Sequence, residues 1–172
     1  EMSLTYFKQH ILPVKDKLYR LAVRIMSDDA AAQDVVQEVL VKAWNQQDAW
    51  PTIRNVEAWC MKLTKNHAID KIRSNRHRSG MLEATSLPGL ATDAPSPLAA
   101  AEYSDTMAHL VKLMQQLPEK QRLVMHLRDI EEQSYQEIAE LLDMPMNQVK
   151  VNLFRARNQV RTLYLQTEKH GL

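Results

Sequence analysis

The stretch SYQEIAELLDMPMNQVKVNLFRAR, residues 134–157, decides the fold of the second half of the chain. Ser134 and Glu137 stand ahead of the apolar run IAELL, which predicts a capping box at the start of a short helix. The turn DMPMN follows, and a longer helical pattern resumes at about Gln148. A short helix, a tight turn of about four residues and a second helix form the helix-turn-helix arrangement.

The second helix of this pattern has an unusual outer face. Its helical spacing leaves Val151 and Phe154 pointing away from the apolar side, among lysines and arginines. A helix in the major groove of DNA gains from such a face, because thymine methyl groups offer apolar contact while Arg and Lys meet phosphates or guanine edges. The alternative is that Phe154 packs on the preceding domain and the charges are only solvated. The residues predicted to be buried on the other side are Val149, Leu153, Ala156, Val160 and Leu163.

The composition of the chain limits which fold classes and cellular locations are expected. The 172 residues are 45% hydrophobic and include only 3 glycines and 2 phenylalanines. Abundant Leu, Ala, Met, Gln, Lys and Arg favour helices over sheets, so we expect a nearly all-α protein of one or two domains. No secretion signal and no apolar run of about 18 residues is found, so we expect a cytoplasmic protein without membrane insertion of its own. With a formal net charge of +1, any binding to nucleic acid depends on local clusters of charge.

Three helices are predicted in the first half. The first follows a turn or kink at Pro13, and the second follows the N-cap cluster SDD at residues 27–29. A polar break at residues 46–55 precedes a third helix, from about Val56 to Arg76, whose two apolar sets indicate packing on more than one side. The stripes expected to pack together are Leu18, Leu21, Ala22 and Ile25 on the first helix, and Ala32, Val35, Val36, Val39, Leu40 and Ala43 on the second.

A domain boundary is predicted at residues 77–97. This segment holds two of the three glycines and three prolines, a composition typical of a linker. Two small helical domains are therefore expected, at residues 1–76 and 98–172. The second resumes with a helix from about residue 98 to 116, and Pro118 then begins the next helix, where its missing N–H costs nothing.

A basic segment spans residues 54–78, with seven cations against two acidic residues. Lys62, Asn66 and Arg73 share one side of the predicted third helix. Trp50, in the preceding loop, is placed to stack on an unpaired base, an interaction worth roughly 1–3 kcal/mol. The alternatives left open are a core tryptophan and a charge run that is only solvated.

A third surface lies on the second helix, where Asp34, Gln37, Glu38 and Val41 line up opposite the apolar stripe. An acidic stripe with an exposed valine suits a basic partner protein and repels DNA. A merely solvated surface is the alternative.

Three blocks of sequence resemble, in order and spacing, the bacterial sigma-70-type initiation factors of the compact extracytoplasmic-function (ECF) group. They are DVVQEVLVKAW from Asp34, WCMKLTKNHAIDKIRSNRHR from Trp59 and LPEKQRLVMHLRDIEEQSYQEIAELLDMPMNQVKVNLFRAR from Leu117. The resemblance covers nearly the whole chain outside the linker. It implies a protein that is not an enzyme, needs no cofactor and recruits core RNA polymerase to promoter DNA through family regions two and four. It also implies an anti-sigma factor as a further partner.

The resemblance assigns a role to each surface. The acidic stripe is implied to bind core RNA polymerase, the basic segment to open the minus-10 element and hold a flipped base, and the last helix to read the minus-35 element. The residues so implied are Asp34, Gln37, Glu38 and Val41 for polymerase; Trp50, Arg54, Lys62, Asn66, Arg73 and Arg76 for the minus-10 element; and Gln148, Lys150, Val151, Asn152, Phe154, Arg155 and Arg157 for the minus-35 element.

The last helix departs from the family pattern at two places. Many relatives have Gly before the recognition helix and Ser-Arg after its first basic residue, where this chain has Asn147 and Val151-Asn152. Because bidentate Arg favours guanine and Asn favours adenine, we expect a minus-35 sequence that differs from that of typical relatives.

Other functions have less support in the residues. A stand-alone helix-turn-helix regulator would bind duplex DNA tightly without polymerase, and it has no use for the acidic stripe. For an enzyme acting on nucleic acid, His67, Asp70 and His77 are near one another in the chain, but no metal-ligand or paired-carboxylate spacing accompanies them. A structural helical adaptor leaves the basic segment and the exposed Phe154 unexplained. The lone Cys60 is expected to be a small core residue.

Overall fold

The computed structural model describes residues 2–81 and 104–169, which fold as two compact units that fall within residues 1–95 and 96–172. Every regular element in the described ranges is a helix, which confirms the expectation of an all-α protein with two helical domains. The predicted linker beyond residue 81 lies outside the described residues. Within those ranges, no helix has the length and apolar character needed to cross a bilayer.

The first unit is built on three long helices preceded by a short irregular helical segment. That segment ends in a tight turn at Pro13, as the sequence predicted a turn or kink there. In order, the elements are α1 (Met2–Tyr6), a π-helical turn (Phe7–Ile11), a 3-10 turn (Leu12–Val14), α2 (Lys15–Met26), α3 (Asp29–Asn45), a 3-10 helix (Gln47–Thr52) and α4 (Val56–Met81).

The core of this unit lies where α2, α3 and α4 pack together. Every residue of the two predicted apolar stripes is buried, and burial of each large aliphatic side chain stabilises the fold by about 1.5–3 kcal/mol. Asp28 caps α3 by accepting a hydrogen bond from the Ala31 N–H at 3.0 Å, so the predicted N-cap is confirmed. Lys17 forms an ion pair with Glu57 and so connects α2 to the start of α4.

Helix α4 packs on α2, on α3 and on the π-helical turn, which confirms that it has more than one buried side. Cys60, Met61 and Ala68 are fully buried in these contacts. The helix also continues past Arg76 to Met81, so the start of the predicted linker is helical. The residues just after Arg76 are His, Arg and Ser, which tolerate a helix. Gly80 falls within the end of the helix, and Gly89 and the three prolines come after Met81 in the sequence.

The second unit carries the helix-turn-helix. The Ser134 hydroxyl accepts from the Glu137 N–H at 3.1 Å while the Glu137 carboxylate accepts from the Ser134 N–H at 3.2 Å, which confirms the predicted capping box. The last helix begins slightly before Gln148, and only residues 143–145 form the turn. The elements are α5 (Asp105–Met114), α6 (Glu119–Met125) with a π-helical turn (His126–Ile130), α7 (Tyr135–Leu142) and α8 (Met146–Lys169).

Candidate nucleic-acid interface

Helix α8 is held by its inner face. Val149, Leu153, Ala156 and Val160 are buried against α6 and α7, as predicted, while Leu163 is only half-buried near the end of the helix. The turn before α8 is fixed by Asp143 in the left-handed conformation (φ 52°) and by the Met144 N–H donating to the Ala139 carbonyl at 3.1 Å. The register of α8 is thereby set, and its opposite face is presented outward.

The outer face of α8, hereafter the recognition face, comprises Gln148, Lys150, Val151, Asn152, Phe154 and Arg155. Val151 is 45% exposed and Phe154 is 68% exposed, so neither residue is needed for packing. Gln148, Lys150 and Arg155 are also exposed, and Asn152 is half-buried. The predicted outward orientation of Val151 and Phe154 is therefore confirmed.

Arg157 is arranged differently from the sequence-based expectation that it contacts the minus-35 element. Its guanidinium donates two hydrogen bonds to the Asp129 carboxylate, at 3.0 and 2.5 Å. These hydrogen bonds raise the pKa of Arg157 above its usual value, and the bidentate geometry fixes the guanidinium plane. Arg157 thus connects α8 to the π-helical turn before the helix-turn-helix, and we assign it a positioning role.

A double-mutant cycle tests this assignment. Arg157→Ala and Asp129→Ala should be coupled by about 0.5–1 kcal/mol in the free energy of unfolding, because the pair is bidentate but partly exposed and screened by solvent. Urea denaturation of the two single variants, the double variant and the parent chain measures the coupling. Additive effects would show that the pair contributes nothing to the fold and would return Arg157 to the candidates for DNA contact.

Two further cations lie against the ring of Tyr135, at the start of α7. The Arg128 guanidinium carbon is 4.6 Å from the ring centroid and the Lys150 ammonium nitrogen is 5.8 Å from it. Arg128 also donates to the Gln133 carbonyl at 2.8 Å. Sequence reasoning did not find this cluster, because nothing in the local pattern places residues 128 and 150 on the same ring.

A polar pair is buried behind the helix-turn-helix. His126 and Glu131 have side chains that are 0% and 1% exposed, with Nε2 of His126 3.5 Å from Oε1 of Glu131. The chain turns sharply just after this pair, where Glu132 adopts φ 56°, a value that favours glycine. Two ionisable side chains are thus enclosed in the segment that leads into α7.

The stripe predicted to bind polymerase lies on the outside of α3. Asp34, Gln37 and Val41 are exposed, Val41 by 58%. Glu38, in contrast, is bound across to α4: its carboxylate accepts hydrogen bonds from His67 and, at 2.9 Å, from Lys71. The hydrogen bonds from His67 and then Lys71 lower the pKa of Glu38 below its usual value, so it stays ionised. The sequence predicted the stripe but not these two partners from α4.

The basic segment also keeps the exposure that DNA contact needs. Four of the residues predicted for the minus-10 element are exposed along α4, and a fifth precedes that helix. They are Lys62, Asn66, Arg73 and Arg76 on the helix and Arg54 before it.

Trp50 is a core residue, so the interpretation in which it stacks on a base is not supported. It is only 7% exposed, and its indole N–H donates to the Ala43 carbonyl at 3.1 Å. Its ring stacks on Tyr6 with centroids 4.9 Å apart and also packs near Phe7 and Trp44. Of the two readings the sequence left open, the core tryptophan is the one that the geometry supports.

His67, one of the residues named for the enzyme alternative, is the partner of Glu38. Cys60 is buried, as expected for a small core residue, and the pKa of its thiol is raised to about 11 by burial and by nearby Glu57. Within residues 2–81 and 104–169, no group of three or more His, Cys, Asp or Glu side chains could hold a metal ion.

Comparisons with known proteins identify the family of both units. Residues 11–78 match the family model described as sigma-70 region 2, and residues 108–160 match sigma-70 region 4. The chain is 29% identical over 157 residues to the ECF RNA polymerase sigma factor SigW of Bacillus subtilis, covering 86% of this chain and 82% of that protein. It is 27% identical over 157 residues to the RNA polymerase sigma-H factor of Pseudomonas aeruginosa, covering 87% and 81%.

A solved structure extends the likeness to the fold. The sigma factor RpoE from Bartonella quintana, crystallised in complex with the anti-sigma factor NepR, superposes with a TM-score of 0.79 at 26% sequence identity, covering 92% of this chain and 96% of that chain. Helix α3 and α4 up to Arg78 lie within the region 2 match, and α8 lies within the region 4 match up to Val160. The chain therefore belongs to the sigma-70 family of RNA polymerase sigma factors, in its extracytoplasmic-function group.

Proposed function

We propose that this sigma factor directs promoter-specific transcription by using three separate faces for three partners: α3 for core RNA polymerase, α4 for the minus-10 element and α8 for the minus-35 element. The observation that carries the proposal is the segregation of charge on helices whose inner sides are fully packed. An acidic face with an exposed valine, a basic face, and a face of mixed cations and apolar groups each fit a different surface.

Polymerase contact is assigned to Asp34, Gln37 and Val41. The Asp34 carboxylate makes no hydrogen bond or ion pair with the side chain of another described residue, so its charge is available to a basic partner. Glu38 adds negative charge to the same face, but its carboxylate also fixes α4 against α3. Changes at Glu38 should therefore alter both polymerase binding and the helix that meets the minus-10 element.

Contact with the minus-10 element is assigned to Arg54, Lys62, Asn66, Arg73 and Arg76. Cations along one exposed side of α4 neutralise a phosphate backbone, and this supplies affinity that falls as salt rises. With Trp50 in the core, any aromatic stacking on an opened base requires a different side chain. The indole instead holds the 3-10 helix from which the chain enters α4.

The two DNA contacts are expected to be weak when separate and strong together. Polymerase that holds both units at the spacing of a promoter raises the effective concentration of the second contact once the first has formed. A partner that covers both units would block these faces, and we propose that an anti-sigma factor acts on this chain in that way. The complex of the sigma factor RpoE with the anti-sigma factor NepR supports this choice of partner.

Reconstituted transcription tests the proposal. Purified bacterial core polymerase is given genomic DNA fragments with and without this protein, and start sites are mapped. We expect start sites that require the protein and share upstream elements near minus-35 and minus-10. If no such start sites appear while the protein alone binds duplex DNA tightly, a stand-alone helix-turn-helix regulator becomes the better account.

Asp34→Arg should weaken binding to core polymerase by about tenfold, because it places a like charge against a basic surface. The measurement is the midpoint of a titration of core polymerase with labelled protein. Asp16→Arg, which makes the same charge change at an exposed site in the first turn of α2, is the matched control and should bind like the parent chain. Equal weakening by both variants would show that overall charge matters and the α3 face does not.

A further inference from the structure

Helix α8 has fewer polar side chains available for DNA bases than its sequence suggests. Asn152 donates one amide hydrogen to the Gln148 carbonyl at 2.8 Å, so its amide lies along its own helix. Arg157 is bound to Asp129, and the Lys150 ammonium group lies against the ring of Tyr135. These three contacts draw on side chains that were expected to supply hydrogen bonds to the minus-35 element.

The apolar side chains of the recognition face are exposed and remain available for contact with DNA. Phe154 is 68% exposed and Val151 is 45% exposed, one helical turn apart on the side of α8 away from the core. Cations border them, with Lys150 next in the chain to Val151 and Arg155 next to Phe154, both exposed. An apolar patch bordered by cations is complementary to DNA, which combines negatively charged phosphates with apolar groups in its major groove. Neither water nor an uncharged surface offers both kinds of contact.

We propose that Val151 and Phe154 read the minus-35 element by contact with thymine C5-methyl groups in the major groove, while the neighbouring Arg155 binds the phosphate backbone. The inference rests on the proposed function, which places α8 on the minus-35 element. Of the groups that the bases present in the major groove, the thymine methyl is the one that an alkyl or phenyl side chain recognises. Specificity should then follow the positions of A·T pairs, with the adenine preference of Asn152 secondary.

Uracil substitution tests this contact directly. Uracil lacks only the C5-methyl group, so replacing thymine by uracil leaves base pairing and the hydrogen-bonding pattern unchanged. The experiment uses the holoenzyme and a promoter fragment found by the reconstituted transcription above, with each minus-35 thymine replaced in turn. Removing a contacted methyl should weaken binding by about fourfold, as expected for the loss of one buried methyl-sized group.

Protein variants identify which side chain makes the contact. In the holoenzyme, Phe154→Ala and Val151→Ala should each bind the thymine promoter more weakly, and each should lose the response to uracil at its own position. Arg155→Ala is the matched control: it should weaken binding to both DNAs alike, reduce the salt dependence and keep the full response to uracil. Uracil placed in the spacer between the two elements should have no effect.

The outcomes separate this inference from the proposed function. Transcription that depends on the minus-35 element but is indifferent to uracil there would overturn the methyl contact and leave the sigma function intact. A minus-35 element without A·T pairs would do the same, as would a uracil response that persists in both alanine variants. Failure of the holoenzyme to select any promoter would overturn the proposed function and, with it, this inference.

Discussion

Replacing Trp50 with alanine should lower the free energy of unfolding of the first unit by about 3–5 kcal/mol, the usual cost of removing a buried tryptophan. The indole packs against Tyr6, Phe7 and Trp44 and donates a hydrogen bond to the Ala43 carbonyl. A tryptophan that served only to stack on a base would leave stability unchanged when removed. Urea denaturation followed by helical circular dichroism, with the fluorescence of the remaining tryptophans as a second probe, distinguishes the two roles.

Trp50→Phe is the control for this prediction. It keeps an aromatic ring in the cluster and removes the indole N–H, so about 1–2 kcal/mol should be lost. The Ala43 carbonyl also accepts from the Gln46 N–H at 3.2 Å, so it is not left without a donor in this variant. A loss below about 1 kcal/mol for Trp50→Ala, together with failure to open the minus-10 element, would contradict the core role.

Glu131→Ala should destabilise the second unit by about 3 kcal/mol, because it removes a buried carboxylate from beside the buried imidazole of His126. Hydrogen exchange of the backbone amides in α7 and α8 of the full chain measures the loss. The three tryptophans, Trp44, Trp50 and Trp59, all lie in the first unit. Their fluorescence should therefore be unaffected, which shows that the change is local.

The adjacent residue gives a control with the opposite sign. Glu132 is exposed and has φ 56°, so Glu132→Gly should raise stability by about 0.5–1 kcal/mol through relief of backbone strain. Substitutions at these two neighbouring glutamates are thus expected to change the free energy of unfolding by different amounts and in opposite directions. If Glu131→Ala falls within about 0.5 kcal/mol of the parent chain, the buried pair is not what stabilises this segment.

Local patterns predicted most of the fold. The apolar stripes of α2, α3 and α8, the cap at Asp28 and the capping box at Ser134 all depend on residues within a few positions of one another. For the same reason the outward orientation of Phe154 was predictable from helical spacing. The end of α4 was less predictable, because Gly80 and the later glycine and prolines of the segment obscured the helix-compatible residues at its start.

Residues that pair across long stretches of chain could not be predicted in this way. Asp129 and Arg157 are 28 positions apart, and Glu38 is 29 and 33 positions from His67 and Lys71. No periodicity links such positions, so each charged residue looked available to a partner when only its own helix was considered. The same limit applied to Trp50, whose neighbours include residues from the start of the chain.

The position of Cys60 has a practical consequence for measuring this protein. It is the one cysteine in the sequence, and it is fully buried, with the pKa of its thiol near 11. Burial and the raised pKa both suppress the thiolate that maleimides and nitroxide reagents attack. A second cysteine introduced at an exposed site would therefore be labelled selectively without removing the native one. Fluorescence or spin-label probes placed in this way can report how each unit responds when polymerase, promoter or an inhibitor binds.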